Sequence, residues 1–401
     1  MKRLIPFAML LLSPTPVLAG ANDPALWITI DSEAVKPVSE AFAREGWAAP
    51  TPYLEKHDVT LLPVYESQLE RIAQVMHDRF NRCAGFVTYE TFQEAMASLT
   101  PPDMPAAAEL TVPSYTLDSA TTVNKLIAVL AESNIRSTIN TMSAYTTRYY
   151  TSTTGVSSAN WLRTHWASLG AGRSDVTVEL FNHAAWAQPS VILTIQGTTL
   201  PNQVVVVGGH LDSTSSGSTA PGADDNASGI ASFTEVIRAA MAVGYRPART
   251  VKFIGYAAEE VGLRGSKEIA AYFKNNGVDV VGVLQLDMTN YPSTRSDVKV
   301  GVVTDYTNAA QNTFLRNLIT TYVGIKQANS TCGYACSDHA SWYNQGFAAS
   351  IPHEALVPEG NPYIHTVNDT IARSGSTANH ALHFAKIAAA FVAELGEGSA
   401  P

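Results

Sequence analysis

The feature that most constrains this chain is an alternation that begins near residue 176. Short runs dense in valine and isoleucine, at 176–181, 191–195, 204–207, 251–256, 280–286 and 300–303, are separated by stretches with apolar residues at helical spacing. The run Val204-Val205-Val206-Val207 has no polar alternation, which is the pattern of a strand covered on both faces. Between the strands, Ile230, Phe233, Ile237 and Met241 fall on one helical face, and 266–273, 310–322 and 378–395 also read as helices. This alternation predicts an α/β fold, a three-layer sandwich with a mostly parallel central sheet flanked by helices.

The segment before it reads differently. Apolar Leu69, Ile72, Met76 and Phe80 predict a helix within 66–80, and 59–64 and 86–89 read as short strands, so 22–99 forms a small α+β unit. Pro101, Pro102, Pro105 and Pro113 make 100–116 a proline-rich, protease-accessible connection. The main unit then runs over 117–395, opened by a helical stripe of Val123, Leu126, Ile127 and Leu130, and 396–401 is expected to be a flexible tail. At the start, Lys2 and Arg3 precede an apolar stretch and the small residues Ala19-Gly20-Ala21, so 1–21 reads as a secretory signal. The expected address is secreted, either extracellular or periplasmic, where disulfides persist.

Charge and cysteine content narrow the functions. The net charge of −9 gives no basic face for phosphate, so no nucleic-acid partner is expected. No apolar run approaches the ~20 residues of a spanning helix, so no membrane segment is expected either. Of the three cysteines, Cys332 and Cys336 are close enough to bridge one tight loop. Zinc ligation by that pair is the poorer reading, because no second pair closes a tetrahedral site. Cys83 is left alone, a liability in an oxidising compartment unless its segment is buried or removed.

The chemistry-bearing residues gather where strands end. The run 204–207 leads into Gly208-Gly209-His210-Leu211-Asp212; Asp224-Asp225 precedes a helix; 251–256 ends at Glu259-Glu260; 280–286 ends at Asp287; His365 stands far downstream. In an open α/β sheet the carboxyl ends of the strands form the crevice where ligands bind. Converging carboxylates repel unless a cation neutralises them, and His with Asp/Glu suits zinc or a similar divalent ion. Two histidines and three carboxylates exceed one tetrahedral site and suffice for two metals sharing a carboxylate. Singly, each residue has a duller role: Asp225 as a helix cap, Asp287 as a turn residue, Glu259 and Glu260 as solvated charges. His339 and His353 read as structural or supporting groups.

Five motifs in order, Gly209-His210-Leu211-Asp212-Ser213, Pro221-Gly222-Ala223-Asp224-Asp225, Ala257-Ala258-Glu259-Glu260-Val261-Gly262, Gln285-Leu286-Asp287-Met288 and Cys332-Gly333-Tyr334-Ala335-Cys336, resemble the secreted bacterial leucyl aminopeptidases, two-zinc exopeptidases made as preproenzymes. The resemblance spans about 122–395, beginning with Thr147-Arg148-Tyr149-Tyr150. It implies two zinc ions bridged by Asp225, with His210 and Asp287 completing one and Glu260 and His365 the other. It also implies Glu259 as general base on a zinc-bridged hydroxide, Asp212 orienting His210, and Tyr334 donating to the oxyanion. Cys332 and Cys336 would form the family's disulfide, and Met288, Cys332, Cys336 and Ile364 the pocket for a leucine-like side chain. His353, Val357 and Gly360 stand where relatives carry aromatic residues, which makes one wall wider or more polar. The partners implied are peptides with a free N-terminus and the chain's own propeptide, 22–99, as intramolecular inhibitor or folding aid, in a monomer. The competing readings are a zinc carboxypeptidase or glutaminyl-cyclase-like enzyme on the same fold, and a non-catalytic binding module, which typically loses ligands or the base. No Gly-x-Ser-x-Gly elbow follows a strand, which disfavours a serine hydrolase.

Overall fold

The structure, a computed structural model, describes residues 23–56, 58–80, 82–99, 113 and 115–401. The expected signal segment and nearly all of the proline-rich connection lie outside the described residues.

The N-terminal unit is α+β. Its sheet has the order β2-β3-β1-β4, formed by β1 (Ala25–Asp31), β2 (Leu54–Lys56), β3 (Val59–Tyr65) and β4 (Phe86–Tyr89), all pairs antiparallel. Helices α1 (Val35–Arg44), α2 (Leu69–Phe80) and α3 (Phe92–Ser98) accompany it. The expected stripe on α2 is buried: Leu69, Ile72 and Met76 pack with Ile28, Val38 and Phe42.

The larger unit opens with α4 (Ala120–Ala128), α5 (Glu132–Ser143) and α6 (Thr153–Leu169). It continues with β5 (Val176–Phe181), β6 (Ser190–Ile195), β7 (Leu200–His210), α7 (Ala227–Ala242), β8 (Arg249–Tyr256), α8 (Arg264–Asn275) and β9 (Asp279–Gln285). After these come β10 (Val300–Val303), α9 (Ala309–Leu318), β11 (Gln327–Ser330), α10 (His339–Asn344), β12 (Ala349–Ser350), β13 (Pro352–His353) and α11 (Ala381–Gly396). The central sheet has the order β12-β9-β7-β8-β6-β5. Alternate residues of β7 enter two cores. Val205 and Val207 pack with Ile230 and Phe233 of α7 and Phe384 and Phe391 of α11. Val204 and Val206 pack with Ile269 and Phe273 of α8 and Trp342 of α10. Helices therefore flank a sheet whose middle strand is apolar on both sides, which is why its sequence shows no alternation.

Three differences from the sequence reading have physical causes. The sheet is mixed: β12, β9, β7 and β8 run parallel, but β6 pairs antiparallel with β8 and β5 antiparallel with β6. The short connection 182–189 between β5 and β6 cannot hold the crossover of a dozen or more residues that parallel neighbours need. The run 300–303 joins a separate sheet of order β11-β10-β13 instead of extending the central one. Nor is 396–401 a loose tail: Ser399 pairs with Arg246, Thr122 Oγ1 donates to the Gly398 carbonyl and Lys125 Nζ to that of Ala400.

Candidate metal centre

The site lies at the carboxyl ends of β7, β8 and β9, and backbone packing sets its position. Asn226, not Asp225, caps α7: its Oδ1 accepts from Gly229 N at 2.9 Å, while its Nδ2 donates to the Leu286 carbonyl at 3.0 Å. The cap role considered for Asp225 is thus taken by its neighbour, and Asp225 is left for the cluster. The Asp225–Asn226 peptide bond is cis. Helix α7 approaches the end of β9 so closely that a Cβ at Gly229 would lie 2.2 Å from the Leu286 carbonyl oxygen, so only glycine fits there. The buried Arg148 guanidinium donates to the carbonyls of Leu211 (2.9 Å), Pro221 (2.6 Å) and Gly222 (2.8 Å), fastening the loop after β7 to the loop before α7.

Five side chains expected to bind metal converge here. His210 Nε2 lies 3.0 Å from Asp225 Oδ1 and 3.4 Å from Asp287 Oδ1. His365 Nε2 lies 3.2 Å from Asp225 Oδ2 and 2.8 Å from Glu260 Oε2. Each Asp225 oxygen therefore faces a different histidine. These separations resemble hydrogen bonds, yet both Nε2 atoms, Asp225 Oδ1 and Asp287 Oδ1 are buried without a well-directed hydrogen-bond partner. Around a tetrahedral zinc with bonds of ~2.0–2.2 Å, neighbouring donors stand roughly 3.4 Å apart. Two groups bring one donor atom from each member within 4.8 Å of all the others: His210 with Asp225 and Asp287, and Asp225 with Glu260, His365 and Cys83. The residues fit a pair of cations sharing Asp225. Met288 and His365, neither of them glycine, hold left-handed backbone with φ of 55° and 54°, the kind of conformation that clusters at functional sites.

The supporting carboxylate does more than its sequence position suggests. Asp212 Oδ1 is 3.3 Å from His210 Nδ1, outside hydrogen-bond geometry. Asp212 accepts the backbone N–H of Glu259 (3.2 Å) and of Glu260 (3.1 Å), fixing the turn that aims both glutamates. Ser337 Oγ donates to Asp287 Oδ2 at 2.6 Å, and Asp369 accepts the amides of Asp224 and Asp225. Sequence reasoning missed Ser337 and Asp369; Ser337 adjoins the quoted cysteine motif, whereas Asp369 carried no motif signal.

Electrostatics follow from burying so much negative charge. Burial alone would lower the pKa of both cluster histidines, but Asp287, Glu259, Asp212 and Asp225 raise that of His210 well above its usual value. Glu260 and Asp225 likewise raise that of His365 to about 10. Burial, reinforced by Asp338, Glu260 and Asp287, pushes Glu259 well above the carboxylate range, and its Oε1 has no hydrogen-bond partner. Burial and the nearby Cys83 and Glu259 keep the Tyr334 phenol protonated.

Beside the cluster, Met288, Cys332, Cys336, Ile364, Tyr334, His353, Val357 and Gly360 line one cavity of about 50 Å³. The cysteines form a disulfide with an S–S distance of 2.05 Å. Cys83, from the N-terminal unit, lines the same cavity. Its N–H donates to Tyr334 Oη at 3.0 Å, the Arg82 guanidinium lies 5.0 Å from the centre of the Tyr334 ring, and the His77 ring sits 4.9 Å from that of His365. Arg264 Nη1 and Nη2 pair with Glu66 (2.7 Å) and Glu90 (2.9 Å), and Thr88 donates from Oγ1 to the Val261 carbonyl (2.8 Å) and from its N–H to that of Gly262 (3.1 Å).

Residues 190–392 match peptidase family M28, just over half of the chain. The chain belongs to that family. Within it the resemblance is to leucine aminopeptidases. Over 291 residues it is 38% identical to leucine aminopeptidase 1 of Emericella nidulans, covering 68% of this chain and 73% of the relative. Over 306 residues it is 36% identical to the probable aminopeptidase YDR415C of Saccharomyces cerevisiae, covering 73% and 81%. The crystal structure of the Legionella pneumophila LapA aminopeptidase superposes with a TM-score of 0.79 at 28% identity, over 94% of this chain and 99% of that one.

Proposed function

We propose that this M28 protein is a secreted two-zinc aminopeptidase made as a precursor, cleaving the N-terminal residue from peptides with a preference for apolar, leucine-like side chains. The observation that carries the reading is the pair of buried donor groups sharing Asp225, each with a histidine nitrogen that no hydrogen bond satisfies. His210, Asp225 and Asp287 would hold one zinc, and Asp225, Glu260 and His365 the other. Bound there, two zinc ions supply Lewis acidity and bring the pKa of a water down towards ~7.

The chain's own groups do the rest. Glu259, buried and with a free oxygen, takes a proton from the attacking water and returns it to the leaving amine. Tyr334, kept protonated, donates to the developing oxyanion. Asp212 keeps His210 and the glutamate turn in register. Met288, Ile364 and the disulfide line the side-chain pocket, with His353 as its polar wall. The N-terminal unit is the propeptide, since its Cys83 lines that pocket and donates its N–H to the Tyr334 hydroxyl. Cleavage in 100–116 would free it.

The test is hydrolysis of leucine p-nitroanilide by protein cleaved in 100–116. An unblocked anilide should turn over, an N-acetylated one should not, and a peptide with N-terminal glutamine should not cyclise. A free α-amine titrates near roughly 7.7–8.0, and only its neutral form has a lone pair to offer, so kcat/KM should rise to an optimum around pH 8. Cleavage of the acetylated substrate, or a flat profile into acid, would remove the aminopeptidase reading.

A further inference from the structure

Cys83 is the one thiol left outside the disulfide, and it is buried at the cluster instead of in an apolar core. Its Sγ lies 3.6 Å from Asp225 Oδ2, 3.7 Å from Glu259 Oε2 and 3.7 Å from Glu260 Oε2. A thiol has one proton and satisfies at most one carboxylate, so three acidic oxygens at nearly equal distance are poorly explained by hydrogen bonding. A cation shared with Asp225 and Glu260 explains two of them better, with Glu259 beside it. With Zn–S of ~2.3 Å and Zn–O of ~2.0 Å, sulfur and oxygen on one tetrahedral zinc stand about 3.5 Å apart. His365 supplies an independent observation: it is buried, its Nε2 is without a hydrogen-bond partner, and that atom belongs to the same donor group as Cys83 Sγ, Asp225 and Glu260.

We propose that Cys83 is a metal ligand of the precursor, its thiolate closing the position held by Asp225, Glu260 and His365 and so latching the N-terminal unit over the site. This rests on the two-metal reading above. The sulfur–metal bond forms as the Sγ–H proton leaves to solvent, with no change of oxidation state. The thiolate takes the coordination position that water or substrate needs. The latch opens when proteolysis releases the unit that carries Cys83 and a water replaces the sulfur. Of the other contacts, Arg264 with Glu66 and Glu90 and Thr88 with the 261–262 turn hold the unit in register without touching a donor, while the His77 ring packs 4.9 Å from that of His365.

The experiment is zinc X-ray absorption on the full chain, purified anaerobically without reductant so that the disulfide stays closed and loaded with zinc, beside Cys83→Ser. With both other cysteines in the disulfide, a thiolate shell can come only from Cys83. The expected result is a Zn–S path at ~2.3 Å in the wild type, replaced by nitrogen and oxygen alone in the variant. Uncleaved Cys83→Ser should also hydrolyse leucine p-nitroanilide roughly tenfold or more faster than the uncleaved wild type, because its closed state has lost a ligand. Bound zinc with only nitrogen and oxygen neighbours in the wild type overturns the latch and leaves the two-metal site standing. That holds even if the variant is more active, since the thiol would then be a steric plug. A wild-type chain that binds no zinc overturns both.

Discussion

Asp224 and Asp225 are adjacent in sequence and both are buried, yet their carboxylates meet opposite surroundings. Asp224 turns into a group with Glu354, Asp369 and Asn361. Its Oδ1 accepts from Asn290 N at 2.9 Å and its Oδ2 from Asn361 Nδ2 at 3.0 Å, while Glu354 accepts the amides of Tyr291 (2.5 Å) and Asn361 (2.9 Å). Burial raises Asp224, Glu354 and Asp369, and the group closes on itself through backbone and amide donors. Asp225 turns the other way. Burial would raise it too, but His210 and His365 pull it below its usual value, and its Oδ1 has no hydrogen-bond partner. Two acidic clusters one residue apart thus show that buried carboxylate is not itself the mark of a metal site. The mark is carboxylate left unsatisfied opposite an unsatisfied imidazole. The closed cluster also serves the open one, because the Asp369 carboxylate accepts the Asp225 amide at 3.0 Å and so fixes where that residue begins.

The contrast can be broken most forcefully at Glu259. In cleaved protein, Glu259→Ala should keep both zincs while turnover falls ~10²- to 10⁴-fold, the usual share of a general base. Metal analysis beside leucine p-nitroanilide kinetics checks it, and unchanged turnover would reject the assignment.

Acid should strike next, through the closed side. His380 donates from Nε2 to the Glu354 carbonyl at 2.7 Å, and burial lowers its pKa from 6.5 to about 4. The folded value lies below the unfolded one, so the unfolded chain binds the extra proton. The contribution is fully present above pH 6.5 and is lost as pH falls towards 4, at most ~3 kcal/mol. Urea midpoints should fall across that window in the wild type, and His380→Asn should flatten the slope.

Asp212→Asn disturbs the open side without removing a ligand. It should weaken zinc affinity ~10- to 100-fold, read by competition with a chelator, while the fold persists. Glu354→Gln, in the closed cluster, should keep both zincs and cost about 1–3 kcal/mol in urea, because its Nε2 replaces an oxygen that accepts from Tyr291 N or Asn361 N. Loss of zinc in Glu354→Gln would erase the distinction between the clusters.

How much of this was legible in the sequence depends on the range of the interaction. The apolar β7 run and the α2 and α7 stripes announced their elements because burial period is local. The sequence drew His210, Asp225, Glu259, Glu260 and Asp287 together from the ends of successive elements and set His365 beside them from far downstream, and the structure brings all six into one cluster. The antiparallel β5 and β6 were not, since pairing direction depends on connections that the apolar pattern does not encode. Nor were Asp369 and the position of Cys83, which reach the site from separate loops of the chain. The doubt that a lone thiol must be buried or removed was a usable clue, but only the fold says that it is buried against carboxylates.

The most direct test of the central claim is anomalous diffraction at the zinc edge from crystals of the zinc-loaded protein. The account predicts two peaks about 3.5–4 Å apart, one on each side of the Asp225 carboxylate, the first against His210 and Asp287 and the second against Glu260 and His365. A single peak, or a pair that does not share Asp225, would contradict it.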